Sequence, residues 1–301
     1  MRGIQMITLV LSLTVVGCTS TNDEIDFVGQ WSVSDLTPTG VIGVSPELIE
    51  FDEKISMLVT TIEEKKFWQL ESGEFSNKPI TLPHGADYTA IKKDDGSWII
   101  YFLDFLREPG PEPPSPDEPK GVFSVTTEDF SSFSEPVHTG ISQASGGQAW
   151  GVPDSVRTPD GDYYIYWVDE VDGEPFEVIR VATSEDGVLF DALDEPVIVG
   201  GYVDPFVLQA SEGDWLMLLS TTPHPPKLPQ KLHLAKSVDG LTWVVDSNPL
   251  LVDAEWNYLD PTAIKLGDEW FFAVSRVALE EAQNPMNAEV FSGRLKFEGQ
   301  D

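Results

Sequence analysis

Asp260-Pro-Thr-Ala-Ile264, followed by Gly267-Asp-Glu-Trp-Phe-Phe-Ala-Val274, is one of four copies of a phrase in this chain. Each copy has an Asp, a short apolar stretch, a Gly and an aromatic-rich strand. The other copies begin at Asp87, Asp154 and Asp204, so the steps between successive copies are 67, 50 and 56 residues. A period near fifty residues, built from strands and turns, is typical of a β-propeller with one blade per repeat. Because equivalent residues of successive blades face one axis, we expect the four carboxylates to converge on one pocket.

A second repeated motif predicts the turn that closes each blade. Its copies are Thr126-Thr-Glu-Asp129-Phe-Ser-Ser-Phe133, Thr183-Ser-Glu-Asp186-Gly-Val-Leu-Phe190 and Lys236-Ser-Val-Asp239-Gly-Leu-Thr-Trp243. Asp-Gly between β segments indicates a hairpin, because Gly tolerates the positive φ that such turns require. We expect the aromatic residue that ends each motif to pack between neighbouring blades.

These repeats predict an all-β fold, a five-bladed β-propeller with four-stranded antiparallel blades around a central channel. The predicted blades are residues 28–80, 81–147, 148–198, 199–253 and 254–301. Together they form one domain over residues 28–301. The two ends of the chain are expected to meet and close the ring. No stretch has helical periodicity beyond a turn or two.

The N-terminus has the pattern of a bacterial lipoprotein signal. Residues 1–17 combine Arg2 with a largely apolar run that is too short for a permanent membrane span. The lone cysteine, Cys18, stands where lipid would be attached, and residues 18–27 form the expected tether. The alternative is a secretory segment followed by an incidental cysteine. The prediction is a protein in the cell envelope, at the outer membrane or cell surface, that contacts the membrane through its lipid.

Composition excludes some partners. With 51 acidic and 18 basic residues the net charge is −33, which disfavours binding to nucleic acid because polyphosphate is repelled. The single cysteine precludes an intramolecular disulfide, so stability must come from core burial. A solvated acidic surface accounts for the charge, and a cation-binding role for part of it is the alternative. We expect a monomer that requires no cofactor, although converging Asp side chains also permit a central Ca²⁺.

The four repeated Asp residues are the candidates for chemistry. Each stands at or just before the start of the strand that would line the channel. Two structural roles compete with catalysis: an Asp there accepts backbone N–H bonds in a turn, or it is a scaffold feature of every blade. Like charges that converge on one axis cost stability unless a ligand, a cation or a proton compensates them.

The blade phrase and the closing turn resemble the five-bladed propellers of family 43 glycoside hydrolases and their family 32 and 62 relatives, over residues 81–299. The resemblance implies three catalytic carboxylates on the first strands of successive blades. Asp87 would then be the general base and Asp154 the residue that orients and tunes. The general acid is typically Glu in that family, and this chain has Asp204 at the place. Glu255 is a substitute acid.

A carbohydrate site would use aromatic faces for stacking and polar groups for hydroxyls. The candidate substrate-binding residues are His84, Trp150, Tyr202, Trp256, Tyr258, Asp260 and Arg276. The aromatic side chains among them would otherwise seal blade interfaces. Three functions remain open at this point: a glycoside hydrolase-like enzyme, a catalytically inactive carbohydrate-binding surface lipoprotein, and a propeller that holds a protein partner.

Overall fold

Five four-stranded antiparallel sheets form a ring in the computed structural model, which confirms the predicted propeller. The structure describes residues 30–62, 66–107, 115, 118–143, 150–282 and 284–298. The predicted signal peptide 1–17, Cys18 and the tether 18–27 lie outside these ranges. In the ranges themselves, helices long and apolar enough to cross a membrane are absent.

In blades 1 to 4 the strands follow one another in chain order from the channel outward. Blade 1 consists of β2 (Val44–Phe51), β3 (Lys54–Thr60), β4 (Phe67–Glu71) and β5 (Glu74–Asn77). Blade 2 consists of β6 (Ala86–Lys92), β7 (Trp98–Phe105), β8 (Lys120–Thr127) and β9 (Val137–Ser142). Blade 3 consists of β10 (Gly151–Arg157), β11 (Tyr163–Asp169), β12 (Val178–Ser184) and β13 (Asp191–Ala192). Blade 4 consists of β14 (Tyr202–Ser211), β15 (Asp214–Thr221), β16 (Leu232–Ser237) and β17 (Trp243–Val245).

Blade 5 is completed by both ends of the chain. It contains β18 (Trp256–Leu266), β19 (Glu269–Ala278), β20 (Glu289–Glu298) and, outermost, β1 (Gln30–Ile42). Two 3-10 helices, Leu279–Glu281 and Pro285–Asn287, lie between β19 and β20. The predicted closure of the ring is confirmed. The prediction that residues 28–80 form one blade is wrong for β1, because that strand pairs with β20 instead.

The core lies between the blades. Separate clusters of buried apolar side chains fill the junctions of blades 1 and 2, 2 and 3, 3 and 4, 4 and 5, and 5 and 1. Apolar surface removed from water at each junction stabilises the ring by roughly 25 cal/mol per Å². Each sheet therefore depends on its two neighbours, and the channel-lining strands are fixed by this packing.

The closing turns contribute to these junctions as predicted. Phe190 packs on Tyr101 of blade 2, with ring centroids 5.6 Å apart, and Trp243 packs on Tyr166 of blade 3 at 6.0 Å. The Asp186 carboxylate accepts the backbone N–H of Val188 at 2.8 Å, which rigidifies the turn. The confirmed role of these aromatic side chains is to join adjacent blades.

The first copy of the turn differs in which phenylalanine is buried. Phe130 has φ 61°, a left-handed conformation that Gly187 and Gly240 adopt in the other copies. It is almost fully buried and lies 5.2 Å from the ring of Phe67 in blade 1. Phe133, the predicted interface residue, packs on Phe130 at 6.3 Å.

Candidate functional site

Every channel-lining strand carries an irregularity at the same place. The residues there have positive φ of 47–53° and are, in blade order, Ser45, Asp87, Val152, Asp204 and Asp260. The strand pairing shifts at each of them, as a β-bulge does. We call these five the bulge positions. Left-handed backbone is strained for residues other than glycine, so the surroundings must hold it.

Asp154 stands two residues beyond its blade's bulge position, which is Val152. The predicted repeat of four equivalent Asp residues is therefore wrong for blade 3. Asp154 is equivalent to Glu47 of blade 1, a carboxylate that sequence reasoning missed. We call this second set the inner positions: Glu47, Thr89, Asp154, Phe206 and Thr262. The signal that finds the register is the Xaa-Pro pair shared by Ser45-Pro46, Val152-Pro153, Asp204-Pro205 and Asp260-Pro261.

The bulge positions join neighbouring blades through hydrogen bonds. The Asp204 carboxylate accepts the backbone N–H of Asp260 at 3.2 Å, and Asp260 accepts that of Ser45 at 2.9 Å. The Ser45 hydroxyl donates to Asp87 Oδ1 at 2.7 Å, and Asp87 in turn accepts the backbone N–H of Val152. Val152 has no side-chain acceptor, so the chain of bonds is interrupted between blades 3 and 4.

The inner positions repeat this arrangement one step along the channel. Glu47 accepts the backbone N–H of Ala90 at 3.3 Å, and Thr89 accepts that of Ser155 at 3.1 Å. Asp154 accepts the N–H of Val207 at 2.7 Å. Thr262 accepts the N–H of Leu48 at 3.1 Å, and Phe206 interrupts this ring. The channel carboxyls therefore do accept backbone N–H groups, the structural role considered from the sequence, and these hydrogen bonds link neighbouring blades.

Burial raises the pKa values of the channel carboxyls. It raises the pKa of Asp154 to about 8, and the pKa of Glu47 well above its usual range, where repulsion from Asp154 adds to burial. Burial also raises the pKa of Asp87, against hydrogen bonds from Ser45 and Thr60 that lower it. At neutral pH protons therefore compensate part of the converging charge.

Asp204 and Asp260 form a second coupled pair. Burial raises the pKa of Asp204 to about 6. The pKa of Asp260 is raised well above its usual range by burial and by repulsion from Asp204, with which it shares a side-chain hydrogen bond. The pair consequently retains a proton near neutral pH, held mainly by Asp260.

The channel itself is narrow. The cavity among the bulge and inner positions has a volume of about 30 Å³, enough for water and too small for a sugar ring. Asp87, Asp154, Asp204 and Asp260 all line it, as the sequence predicts. These carboxyls do converge on the axis, but the axis does not accommodate a saccharide.

The larger space lies at the end of the channel where the inner strands begin. Two adjoining cavities, of about 490 and 260 Å³, share Trp150, Glu177 and His224 in their linings. We call them together the mouth depression. The smaller cavity also contacts Asp204, which links the depression to the channel. The volume of the larger cavity is in the range of small-molecule sites, and the smaller one extends it towards the channel.

Glu177 is the carboxylate that lines both cavities of the depression, and sequence reasoning missed it. Its side chain is only 5% exposed, accepts a hydrogen bond from the Thr222 hydroxyl at 2.6 Å and lies 3.0 Å from His224 Nε2. His224 is 53% exposed and reaches the open cavity. Glu177 follows a loop between β11 and β12 and belongs to no repeated motif, so the sequence pattern does not identify it.

Most of the predicted substrate-binding residues are not among the side chains that line the depression. Trp150 lines it, together with Asp204, which the sequence places among the catalytic candidates. His84 is exposed and lies 3.1 Å from Asp104, while Tyr202 packs edge-on against His233 at 5.5 Å. Glu255, the substitute acid, is exposed just before β18.

Arg276 is held among aromatic rings instead of facing a carboxylate pair. Its guanidinium lies 4.0 Å from the ring of Trp256, 5.8 Å from Tyr258 and 4.9 Å from Phe291. Its buried Nε has no hydrogen-bond partner among the described residues. Tyr258 and Phe291 pack at the junction of blades 4 and 5, which agrees with the alternative interpretation that aromatic side chains seal blade interfaces.

In the part of the chain that the structure describes, no group of three or more His, Cys, Asp or Glu is arranged to hold a metal ion. The channel carboxyls instead direct oxygens at backbone N–H groups and at each other. The central Ca²⁺ considered from the sequence stays a prediction without support from this geometry.

Comparison with known proteins identifies the fold. Neither a protein-family model nor a curated protein matches the sequence. Among solved structures, an exo-1,5-α-L-arabinanase from a bovine ruminal metagenomic library matches with a TM-score of 0.64 and 10% identity, over 89% of this chain and 100% of that one. The GH43 BlXynB protein from Bacillus licheniformis matches at 0.61 and 12% identity, over 89% of this chain. The chain spans 55% of that protein's length.

A third match shows that different chemistry occurs on this scaffold. An N-acetylgalactosamine deacetylase from F. plautii, in complex with blood group B trisaccharide, matches with a TM-score of 0.55 and 11% identity, over 90% of this chain and 94% of that one. The protein is therefore a five-bladed β-propeller whose fold is similar to that of family 43 glycoside hydrolase structures. Identities of 10–12% define the fold, and the reaction has to be argued from the site.

Proposed function

We propose that the protein is a glycoside hydrolase-like enzyme that acts on a carbohydrate in the mouth depression, with Asp204 and Glu177 as its carboxylate pair. The observation that carries the proposal is that both residues line the same 260 Å³ cavity. Glycoside hydrolysis generally uses two carboxyl groups that flank the scissile bond, one as acid and the other as base or nucleophile.

Asp204 suits the role of proton donor. A pKa raised to about 6 keeps a useful fraction of the carboxyl protonated near neutral pH. The proton on Asp260 is hydrogen-bonded to Asp204 and limits the repulsion between the two carboxyls. A general acid of this kind would protonate the leaving oxygen of the sugar. The attacking water would lose a proton to Glu177, and transfer of that proton through solvent would restore protonated Asp204 and ionised Glu177.

Glu177 suits the opposite role. Its carboxylate is fixed by the Thr222 hydroxyl and by His224, so its orientation towards the cavity does not depend on a flexible loop side chain alone. Fixed donors around a carboxylate preorganise it either to attack a sugar carbon or to remove a proton from the water molecule that does so. Trp150 and Gln230 lie in the same lining, each 5% exposed, and would contact the sugar with the accessible part of a ring and of an amide.

This assignment differs from the one that the resemblance implies. Asp87 and Asp154 line the 30 Å³ channel cavity and link neighbouring blades, so their role is structural in this assignment. Asp204 keeps the role of acid, and Glu177 replaces Asp87 as its partner.

The test measures turnover of aryl glycosides and of plant and algal polysaccharides by the purified protein. We expect Asp204→Asn and Glu177→Gln each to lower kcat by about 100-fold or more, the typical contribution of a positioned acid or base. Glu212→Gln, at an exposed turn on the opposite side of blade 4, is the matched control and should retain full activity. Asp87→Asn discriminates between the sites. If it abolishes turnover while thermal unfolding is unchanged, the catalytic pair lies in the channel and the proposal is wrong.

A saccharide-binding protein without turnover is the second candidate. The observation that favours it is that two bulge positions carry Ser45 and Val152, so carboxylates do not occupy that place on three successive blades. Binding of an oligosaccharide that Trp150→Ala weakens, with no product formed from any substrate, would establish this alternative. Absence of both binding and turnover would favour the protein-partner propeller.

We also infer that the chain is exported and anchored in the cell envelope by lipid at Cys18. The support is the apolar run before the only cysteine of the chain. Cys18→Ser should move the protein from the membrane fraction to the soluble fraction of the cell, and mass spectrometry of the wild-type N-terminus should detect the lipid. An unchanged distribution between the two fractions would contradict the inference.

A further inference from the structure

A groove of about 680 Å³ lies at the junction of blades 4 and 5, on the opposite side of the ring from the mouth depression. Its lining includes residues where β14 and β18 end, whereas the bulge positions lie where these strands begin. Three aromatic side chains and a set of cationic ones face it: Trp31, Trp270, Phe297, Lys265, Arg294 and Lys296. We call it the basal groove.

The groove exists because of the way in which blade 5 closes. In blades 2, 3 and 4 a closing turn inserts an aromatic residue at the junction with the preceding blade, as Trp243 does beside Tyr166. Blade 5 has no such turn, since its outer strands β20 and β1 come from the two ends of the chain. Phe297 and Trp31 occupy this region, and Phe297 remains 51% exposed.

The aromatic side chains of the groove form a connected surface. The ring of Trp31 lies 6.5 Å from Trp270 and 5.1 Å from Phe297. All three are partly exposed, unlike Trp98, the tryptophan that begins the second strand of blade 2 and is 5% exposed. Partly exposed, mutually supported aromatic faces are suited to stacking on the C–H faces of sugar rings.

The charge of the groove differs from that of the whole protein. The chain has 51 acidic and 18 basic residues. In the groove four cationic side chains outnumber three acidic ones, namely Lys236, Lys265, Arg294 and Lys296 against Asp214, Asp268 and Glu269. Glu269 pairs with Arg294 at 2.7 Å, and Asp214 accepts a hydrogen bond from Gln209 at 2.7 Å. Lys265 lies over the ring of Trp270 at 5.7 Å, so a cation and a stacking face are already joined.

We propose that the basal groove is a second carbohydrate-binding site, and that its ligand is an acidic saccharide bearing carboxylate or sulfate groups. The aromatic faces would stack on the sugar rings, and the lysines would pair with the acidic substituents. We favour an acidic saccharide because the lining of the groove is locally cationic. The chain as a whole has a net charge of −33 and would repel an anion elsewhere. The site is independent of the mouth depression and stands whether or not the protein hydrolyses sugars.

The test uses tetragalacturonate, its fully methyl-esterified form and a sulfated galactose oligosaccharide, with binding measured by titration calorimetry. The methyl ester keeps the sugar rings and removes the charge. We expect the acidic tetramer to bind at least about tenfold more tightly than its ester. Comparison with the sulfated ligand tells whether carboxylate or sulfate is preferred, and either outcome supports the site.

Variants locate the binding. Lys265→Glu combined with Lys296→Glu should weaken binding by about tenfold or more, because both exposed side chains line the groove. Lys92→Glu is the matched control, since Lys92 also lies 5.7 Å over a tryptophan, Trp98, at the same end of blade 2. It should change binding by less than about twofold. Equal binding of the tetramer and its ester, an equal loss in the control, or binding to anionic phospholipid vesicles but to none of the saccharides would each overturn the proposal.

Discussion

The channel and the mouth depression both contain buried carboxyl groups, but the two regions treat them differently. In the channel, Asp154 and Glu47 surround about 30 Å³ of space and accept backbone N–H groups of the next blade. In the depression, Glu177 is held by side chains alone, Thr222 and His224, beside cavities of 490 and 260 Å³. A buried carboxyl that satisfies main-chain donors is part of the scaffold, whereas one held by side chains at an open cavity can meet a ligand. Asp204 belongs to both regions, which is why it is the strongest candidate for chemistry.

The largest effect is expected from truncating a channel carboxyl. Asp154→Ala leaves the buried N–H of Val207 without its acceptor and opens a small cavity. An orphaned buried donor together with lost packing should lower the free energy of unfolding by about 2–4 kcal/mol. Urea denaturation at pH 7 measures this as a lower midpoint with an unchanged slope. Asp154→Asn, which keeps an acceptor, is the control and should be far less destabilising. Equal losses in the two variants would mean that Asp154 does not link the blades.

The second prediction concerns the pH dependence of stability, which follows from the raised pKa values of the channel carboxyls. The pKa of Asp154 is about 8 in the folded protein, above its ordinary value near 4 in the unfolded chain. The unfolded chain loses this proton first, so stability is greatest below the unfolded pKa and falls as pH rises through the folded one. The free energy of unfolding should therefore fall by about 1 kcal/mol per pH unit between roughly pH 5 and pH 8.

The variant Asp154→Asn isolates this contribution from the general repulsion of an acidic protein. Repulsion among surface charges also weakens folding as pH rises, in wild type and variant alike. The difference between the two unfolding free energies should therefore grow with pH in favour of the variant. A difference that stays constant from pH 5 to pH 8 would show that Asp154 is ionised in the folded state.

At the acid end, Asp186 and Asp239 have pKa values lowered by their turn hydrogen bonds, so their stabilisation is lost as pH falls below about 4.

The ring architecture could be predicted from the sequence because the repeats encode it locally. The turn motif around Asp186 and Asp239 carries its own hydrogen bonds, and the aromatic strands carry the apolar pattern of a blade junction. The position of β1 could not be predicted, because its pairing with β20 joins residues some 250 positions apart, and strand pairing over such a separation leaves no local pattern. The predicted closure of the ring was therefore correct while the first blade boundary was wrong.

The candidate site was predictable only where it repeats. Asp87, Asp204 and Asp260 were found at equivalent positions, but anchoring the repeat on Asp misplaced Asp154 by two residues. The proline after the bulge gives the correct register, since Pro153 follows Val152 as Pro205 follows Asp204. Glu177 and His224 come from loops of two blades, and only the folded ring brings them to 3.0 Å. A side-chain pair of this kind has no spacing that a single sequence could reveal.

The smallest effect compares two hydroxyl groups that donate to carboxyls, one in each region. Ser45 donates to Asp87 in the channel at 2.7 Å, and Thr222 donates to Glu177 in the depression at 2.6 Å. Deleting either hydroxyl, by Ser45→Ala or by the isosteric Thr222→Val, should lower the free energy of unfolding by about 1 kcal/mol. The activities should separate them. Ser45→Ala is expected to leave binding and turnover of a saccharide unchanged, whereas Thr222→Val should lower kcat because the Glu177 carboxylate loses the hydroxyl that orients it. If both variants lowered kcat equally, the channel and the depression would form one functional unit, and the division between scaffold and site would be wrong.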